Sequence, residues 1–207
     1  KTGRGAVADV HQDRARLFDG FSRLSTAVAV MPTQVAWTGL TRLADAPGDT
    51  LSPKPARTVW RDAESLEPVP HFVDLDPRAT DLSRQAIVLH ALVPLLPSHR
   101  YVLAFQKLED PAGAPVPAPK GFSRLRDGRA AGDPQLEALK DRFESGVFGP
   151  LVKAGLERKA LQLAWDFTTG ADETAQNDLL TVRGLTMDWL SSHTPAVTVT
   201  SSLDNPS

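Results

Sequence analysis

The chain has no cysteine, which excludes disulfides, thiolate metal sites and a cysteine nucleophile while leaving the compartment open. It also lacks any long apolar run. The longest stretch, residues 86–96, is broken by His90 and Pro94 and falls far short of the roughly 20 residues that a membrane-spanning helix needs. An excess of positive charge is missing too. Lysine and arginine total 23 against 25 acids, a formal net charge of -2, so the counter-ion release that drives non-specific nucleic-acid binding has no source and no nucleic-acid partner is expected. The first residues hold no signal-peptide apolar region, and the chain opens on Lys1. The expectation is a mature form or fragment of a longer protein.

What is present reads as globular. Hydrophobic residues make up 41% and charged residues 23% of 207, enough to bury a core in one domain or in a domain with a helical appendage. Up to about residue 120, short β-branched runs alternate with Pro/Gly/Asp clusters, the pattern of antiparallel β structure. Strands are expected at 26–31, 56–60, 85–90 and 100–108. In the last, Tyr101, Leu103, Phe105 and Lys107 alternate with Val102, Ala104 and Gln106, so one face is bulky and the other smaller and more polar. On that reading Phe105 points into the core and Gln106 lies on the polar face. Glu109-Asp110-Pro111-Ala112-Gly113 then turns the chain. A return strand at 114–116 is confined to an edge by Pro115 and Pro117.

After Pro119 the period changes. Asp133-Pro134 is a helix start, an N-cap carboxylate followed by proline at the first helical position, and Leu136, Leu139, Phe143, Val147 and Leu151 follow at helical spacing. The helix is expected to end near Gly155, with a kink or break at Gly146 and Gly149-Pro150. A strand through Leu161, Leu163, Trp165 and Phe167 is expected over 159–167. A second helix follows over 171–191, with Ala175, Leu179, Val182 and Trp189 inward, then a strand over 194–201. The fold expectation is therefore α+β: an antiparallel β-sandwich over residues 1–120, with a helix-strand-helix-strand extension over 121–207 supplying two packed helices.

No catalytic apparatus is legible. Ser22 in Gly20-Phe21-Ser22-Arg23-Leu24 and Ser123 in Gly121-Phe122-Ser123-Arg124-Leu125 match only the first half of the G-x-S-x-G elbow that presents a hydrolase serine. Among His11, His71, His90, His99 and His193 no two share the spacing that sets two imidazoles on one helix face. His90 reads as a hydrogen-bonded strand end, and His71 and His99 as surface residues beside proline-rich turns. Asp74, Asp76 and Asp81 form the best oxygen cluster and the one calcium candidate, but the segment lacks the glycine and closing glutamate of an EF-hand loop, and Asx-turn chemistry accounts for it. Asp166, Asp172 and Glu173 read as acids near a helix start. Arg124, Arg126, Asp127, Arg129 and Asp133 read as a solvated connector of mixed sign. Trp37, Trp60, Trp165 and Trp189 are dispersed, as core packing disperses them. No catalytic residue and no cofactor is assigned.

The run from His99 to Val116, His-Arg-Tyr-Val-Leu-Ala-Phe-Gln-Lys-Leu-Glu-Asp-Pro-Ala-Gly-Ala-Pro-Val, resembles the tyrosine-bearing strand, Asp/Gly turn and return strand of bacterial Ig-like modules. With Asp19-Gly20-Phe21-Ser22, Val69-Pro70-His71-Phe72-Val73-Asp74-Leu75-Asp76 and Leu163-Ala164-Trp165-Asp166-Phe167-Thr168-Thr169, it is similar to the N-terminal β domain of large secreted or lipid-anchored bacterial proteins of the lipase-like, α/β-hydrolase-like kind. The resemblance implies that the sandwich is Ig-like, an Ig-like antiparallel β-sandwich with two packed helices, and that it is a non-catalytic structural or substrate-presenting module. It implies a secreted or cell-envelope location and an adjoining hydrolase-like domain, which would carry the catalytic serine. The rivals are a free-standing binding or adhesion module, which an exposed apolar or aromatic sheet face would favour, and an esterase whose serine, histidine and acid converge only in space.

Overall fold

The computed structural model describes residues 19–45, 50–51, 56–194 and 198. The strands are β1 (Ala27–Val30), β2 (Thr58–Asp62), β3 (His71–Leu75), β4 (Ala86–Ala91), β5 (Arg100–Gln106) and β6 (Leu161–Thr168). The helices are α1 (Lys120–Arg126), α2 (Pro134–Phe143), α3 (Gly149–Lys153) and α4 (Asp172–Ser192), with a π-helical turn, Glu144–Phe148, between α2 and α3. Two compact units result, Lys1–Ala171 and Asp172–Ser207.

In the first unit the strands form two three-stranded antiparallel sheets, ordered β1-β4-β3 and β2-β5-β6. One core joins them. Trp60, Tyr101, Leu103 and Phe105 of the second sheet cluster with Ala27, Val73, Leu75, Ile87 and Leu89 of the first. The opposite face of the second sheet forms another core, in which Val59, Val102, Ala104, Leu161 and Ala164 meet Phe122 and Leu125 of α1, Val147 and Phe148 of the π turn and Leu151 of α3. The layers run sheet, sheet, helices, and the α+β expectation holds at that level.

This layering corrects the reading of β5. Its register is as expected, with Tyr101, Leu103 and Phe105 in the inter-sheet core. The smaller face, however, is not turned to solvent: Val102 and Ala104 are fully buried and Gln106 is 4% exposed, its amide donating to the Ala56 carbonyl at 2.9 Å. Small side chains there let helices approach the strand. β6 is interrupted by a bulge, since Phe105 pairs with Leu163 but Gln106 with Leu161. The extra residue inverts the alternation, so Leu161, expected beside Leu163, joins the helix-side core. Gln162, set between them, donates to the carbonyls of Leu108 and Val116 and accepts from the Leu108 amide.

Local chemistry accounts for the remaining elements. Asp133 caps α2 by accepting from the amides of Gln135 and Leu136, and Gly155 (φ +86°) ends α3. The expected break falls at the π turn, where a Cβ on Gly146 would lie 1.9 Å from the Arg100 guanidinium. Glycine lets that guanidinium reach Asp166, to which its Nε donates at 2.7 Å. The return strand at 114–116 shrinks to a bridge between Glu109 and Pro115, because two prolines lack the N–H that a ladder needs.

Two elements went unread in the sequence. β3 lies in the segment expected as turn and loop. α1 lies partly in the stretch expected as a solvated connector; the Arg158 guanidinium closes its C-terminus by donating to the Leu125 and Arg126 carbonyls. That guanidinium also grips both Glu144 oxygens at 2.6 Å and sits 4.1 Å over the Phe148 ring. In the second unit, α4 spans the expected helix. Leu179, Val182 and Trp189, expected inward, are exposed; the side chain of Ala175 and most of the expected strand 194–201 lie outside the described residues.

Truncating Phe105 to alanine should cost roughly 3–5 kcal/mol by opening a cavity between the sheets. Gln106→Ala should cost about 1–3 kcal/mol, because a carbonyl partner loses its donor in a closed environment. Urea melts of the two variants test the double burial of β5, and a Gln106→Ala variant as stable as the parent would refute it.

Candidate functional site

β1 begins, β4 ends, β5 begins and both β2 and β6 end at one end of the paired sheets. The chain crosses there from the first sheet to the second through residues 92–99. The crossover is pinned by its own hydrogen bonds. The Leu92 amide donates to Pro70, the Leu95 amide to Arg23 and the Ser98 amide to Gly170, while the Leu96 amide donates to the Tyr101 hydroxyl at 2.8 Å. Thr169, 1% exposed, donates its hydroxyl to the Leu96 carbonyl at 2.6 Å and accepts from the His99 amide at 3.0 Å. Beside β6 the Phe21 amide donates to Thr168 and the Gly170 amide to Phe21. Gly20 permits this approach, since a Cβ there would lie 2.5 Å from the backbone of Thr169 and Gly170.

Two features stand at this end. One is polar: His99 Nδ1 lies 2.7 Å from Asp62 Oδ2, and Asp62 Oδ1 accepts from the amides of Glu64 and Ser65, each at 2.9 Å. Burial pushes the Asp62 carboxyl up. The His99 hydrogen bond, the two amides and the His99 charge outweigh it and hold the group below its ordinary value. With Nδ1 donating to the carboxylate, Nε2 is the ring nitrogen left for another partner, the tautomer arrangement of a carboxylate-oriented histidine. The residue expected as plain surface is a half-exposed imidazole oriented by a buried acid.

The other feature is apolar. Phe21, Leu24, Leu92, Val93 and Leu96 are exposed by 61%, 75%, 41%, 44% and 52%. They sit on two segments tied by the Leu95 amide donating to Arg23 and the Arg23 Nε donating back to Leu95.

Neither weighed serine hydrogen-bonds to the imidazole among the described residues. Ser22 Oγ accepts from the Leu24 amide, and Ser123 Oγ donates to the Lys120 carbonyl within α1. The calcium candidates also part. Asp74, a β3 residue rather than a loop one, pairs across the sheet with His90 at 3.2 Å, and His90 stacks on Phe72 with ring centres 4.6 Å apart. Asp76 holds the Arg78 amide and guanidinium, and Asp81 caps the turn at Ser83. Among the described residues no group of three or more acids and histidines is arranged to hold a metal. Asp166 is gripped by Arg100 and Arg142. Asp172 opens α4, while the side chain of Glu173 and all of His11 lie outside the described residues. In the connector, Arg126 and Arg129 hold Asp127 down to about 2, burial opposing them. Trp37 is exposed beneath the Arg42 guanidinium at 4.2 Å.

His71 is the larger correction: expected at the surface, it is fully buried in the inter-sheet space. Its Nδ1 lies 2.7 Å from the Val69 carbonyl, which can only accept, so Nδ1 carries the proton. Nε2 then accepts from the Thr58 hydroxyl at 3.0 Å, linking the sheets. The alternation of His71, Val73 and Leu75 was the available sequence signal, masked by the flanking prolines.

The chain matches no known family model, and no curated protein sequence matches it.

Burial lowers the His71 pKa below its ordinary value, and the hydrogen bonds at Val69 and Thr58 only partly offset this. Its folded value is thus depressed. The stability it contributes is whole above the unfolded value of about 6.5 and is lost as pH falls toward the folded one. Urea midpoints measured between about pH 7.5 and 5.5 should fall in the parent and fall less steeply in His71→Gln. Equal slopes would remove His71 as the cause.

Proposed function

We propose that the chain is a non-catalytic, substrate-presenting or structural module of a larger secreted bacterial protein of the lipase-like, α/β-hydrolase-like kind, adjoining the domain that carries the catalytic serine. The observation that carries this reading is the crossover end. That end carries five exposed large apolar side chains and a histidine, held by Asp62, that hydrogen-bonds to no serine among the described residues. Such an end holds or presents an apolar group better than it cleaves one, because acyl transfer needs a nucleophile within hydrogen-bond reach of its base.

Supporting the same reading, the stretches that carry the resemblance fall on β3, β5, β6 and the segment beside β6. Ig-like character belongs to this proposal, supported by the antiparallel pairing of two facing sheets. Among the described residues no helix is long and apolar enough to cross a membrane; a secreted or envelope location is part of the proposal.

A second reading, a binding or adhesion module, is favoured by the outer face of the first sheet. Val28 and Val30 are 58% and 47% exposed there, and a shallow depression of about 500 Å³ runs past Val28, Asp74, Val88 and His90. Helices cover the corresponding face of the second sheet; none of the described helices of the first unit covers this one.

Short-chain nitrophenyl esters separate the proposal from an esterase. Turnover by the chain should equal the buffer blank and remain there in Ser22→Ala, Ser123→Ala and His99→Ala. A rate well above blank that disappears in His99→Ala would make the crossover end an active site and overturn the module reading.

A further inference from the structure

We infer that α4 is a self-association helix, which pairs parallel and in register with α4 of a second copy of this chain. The pairing concerns the second unit alone and holds whether or not a hydrolase-like domain adjoins the chain.

Apolar residues along α4 keep the period of a helix seam. Leu179, Val182, Thr186 and Trp189 follow one another at three, four and three positions, a period of about 3.5, which draws a stripe along one helix that matches the stripe of a neighbour. Leu179, Val182 and Trp189 are exposed by 72%, 60% and 53%. Thr186 does not interrupt the seam, because its hydroxyl donates to the Val182 carbonyl at 2.8 Å and is satisfied within its own helix. Helices in proteins draw most of their stability from packing an apolar face, and among the described residues this one is open.

The surface between these residues is concave. Val182, Leu185, Thr186 and Trp189 line one shallow depression. Four residues at i, i+3, i+4 and i+7 form the hole that receives a knob from a facing helix, and in a parallel pair that knob is Thr186 of the second copy.

Charge selects the occupant and its direction. Asp178 and Leu185 each precede a seam residue, and Arg183 and Leu190 each follow one. Across a parallel, in-register seam a preceding residue meets the following residue five positions on in the other helix. Asp178 then faces Arg183 of the second copy, and Leu185 faces its Leu190. Within one helix Asp178 and Arg183 lie about 140° apart, too far round to pair, and both are exposed. Antiparallel packing would set following residues against each other, and Gln176, Arg183 and Leu190 offer Arg183 no acid. One charged and one apolar contact arise together when a copy of the same helix is laid parallel.

The test is sedimentation equilibrium of the full chain between about 5 and 200 µM at about 0.15 M salt. Mass should rise above that of the monomer as concentration increases. Leu179→Ser/Val182→Ser should weaken association at least about tenfold, having lost apolar area from the seam. A control, Leu180→Ser/Met187→Ser, removes two side chains exposed by 52% and 59% on the same helix but off the seam, and should associate like the parent. Asp178→Arg and Arg183→Asp each set like charges across the seam and should each weaken it. Mixed in equal amounts, these two variants should associate more tightly than either alone. Circular dichroism of each variant excludes loss of helix as the reason for a change.

The inference is overturned by a chain that stays monomeric at about 200 µM, by association that the seam variant leaves intact, or by a control that weakens it as much as the seam variant does. A mixture of the charge variants that gains nothing over its components would overturn it as well, since Asp178 and Arg183 would then not meet. Each of these leaves the module reading standing, which fails separately if the chain hydrolyses esters through His99.

Discussion

The double burial of β5 is the constraint on which the first unit is organised. A strand at the centre of a three-stranded sheet has both edges paired, and here both faces are covered as well. Its side chains must therefore meet two different neighbours. Tyr101, Leu103 and Phe105 fill the space between two sheets, where large side chains from both faces interdigitate. Val102 and Ala104 face helices whose backbones come close, and larger residues there would force them away. Bulky and small residues alternate along β5 because the layers on its two sides differ in kind.

The same layering turns several polar side chains into joints. His71 reaches across the inter-sheet space to Thr58. Gln162, displaced by the bulge in β6, satisfies the backbone of Leu108 and Val116. Arg158 ties α1's last carbonyls to Glu144 in the π turn. Each is a polar group taken out of water with its partners supplied, the condition under which burial is tolerated. His71 reads as a surface residue in the sequence because Thr58, the partner that takes its Nε2 across to the other sheet, lies 13 positions away along the chain.

The crossover end shows how a site of this kind arises. The Asp62–His99 pair forms because β2 ends beside the start of β5, with Asp62 opposite Tyr101. Nothing in the sequence near either residue marks the other. The exposed apolar residues of 21–24 and 92–96 come to the same end because Arg23 and Leu95 hydrogen-bond to each other, a pairing that neither segment shows when read alone. Backbone held by these hydrogen bonds carries the exposed apolar side chains at this end.

Local interactions were enough to write part of this structure into the sequence. The Asp133-Pro134 helix start, the Asp110–Gly113 turn, the break near Gly146, the inward face of β5 and the span of α4 follow from caps, dihedral preferences and period, which act within a few residues. Tertiary structure alone decided which faces were doubly covered, that β3 pairs with β4, that Leu161 turns to the helices, and that Asp74 meets His90 instead of Asp76 and Asp81. It also decided that His99 meets Asp62. These outcomes depend on which strands become neighbours, and pairing is set by packing between segments far apart in sequence, where a strand's own pattern carries no label for its partner.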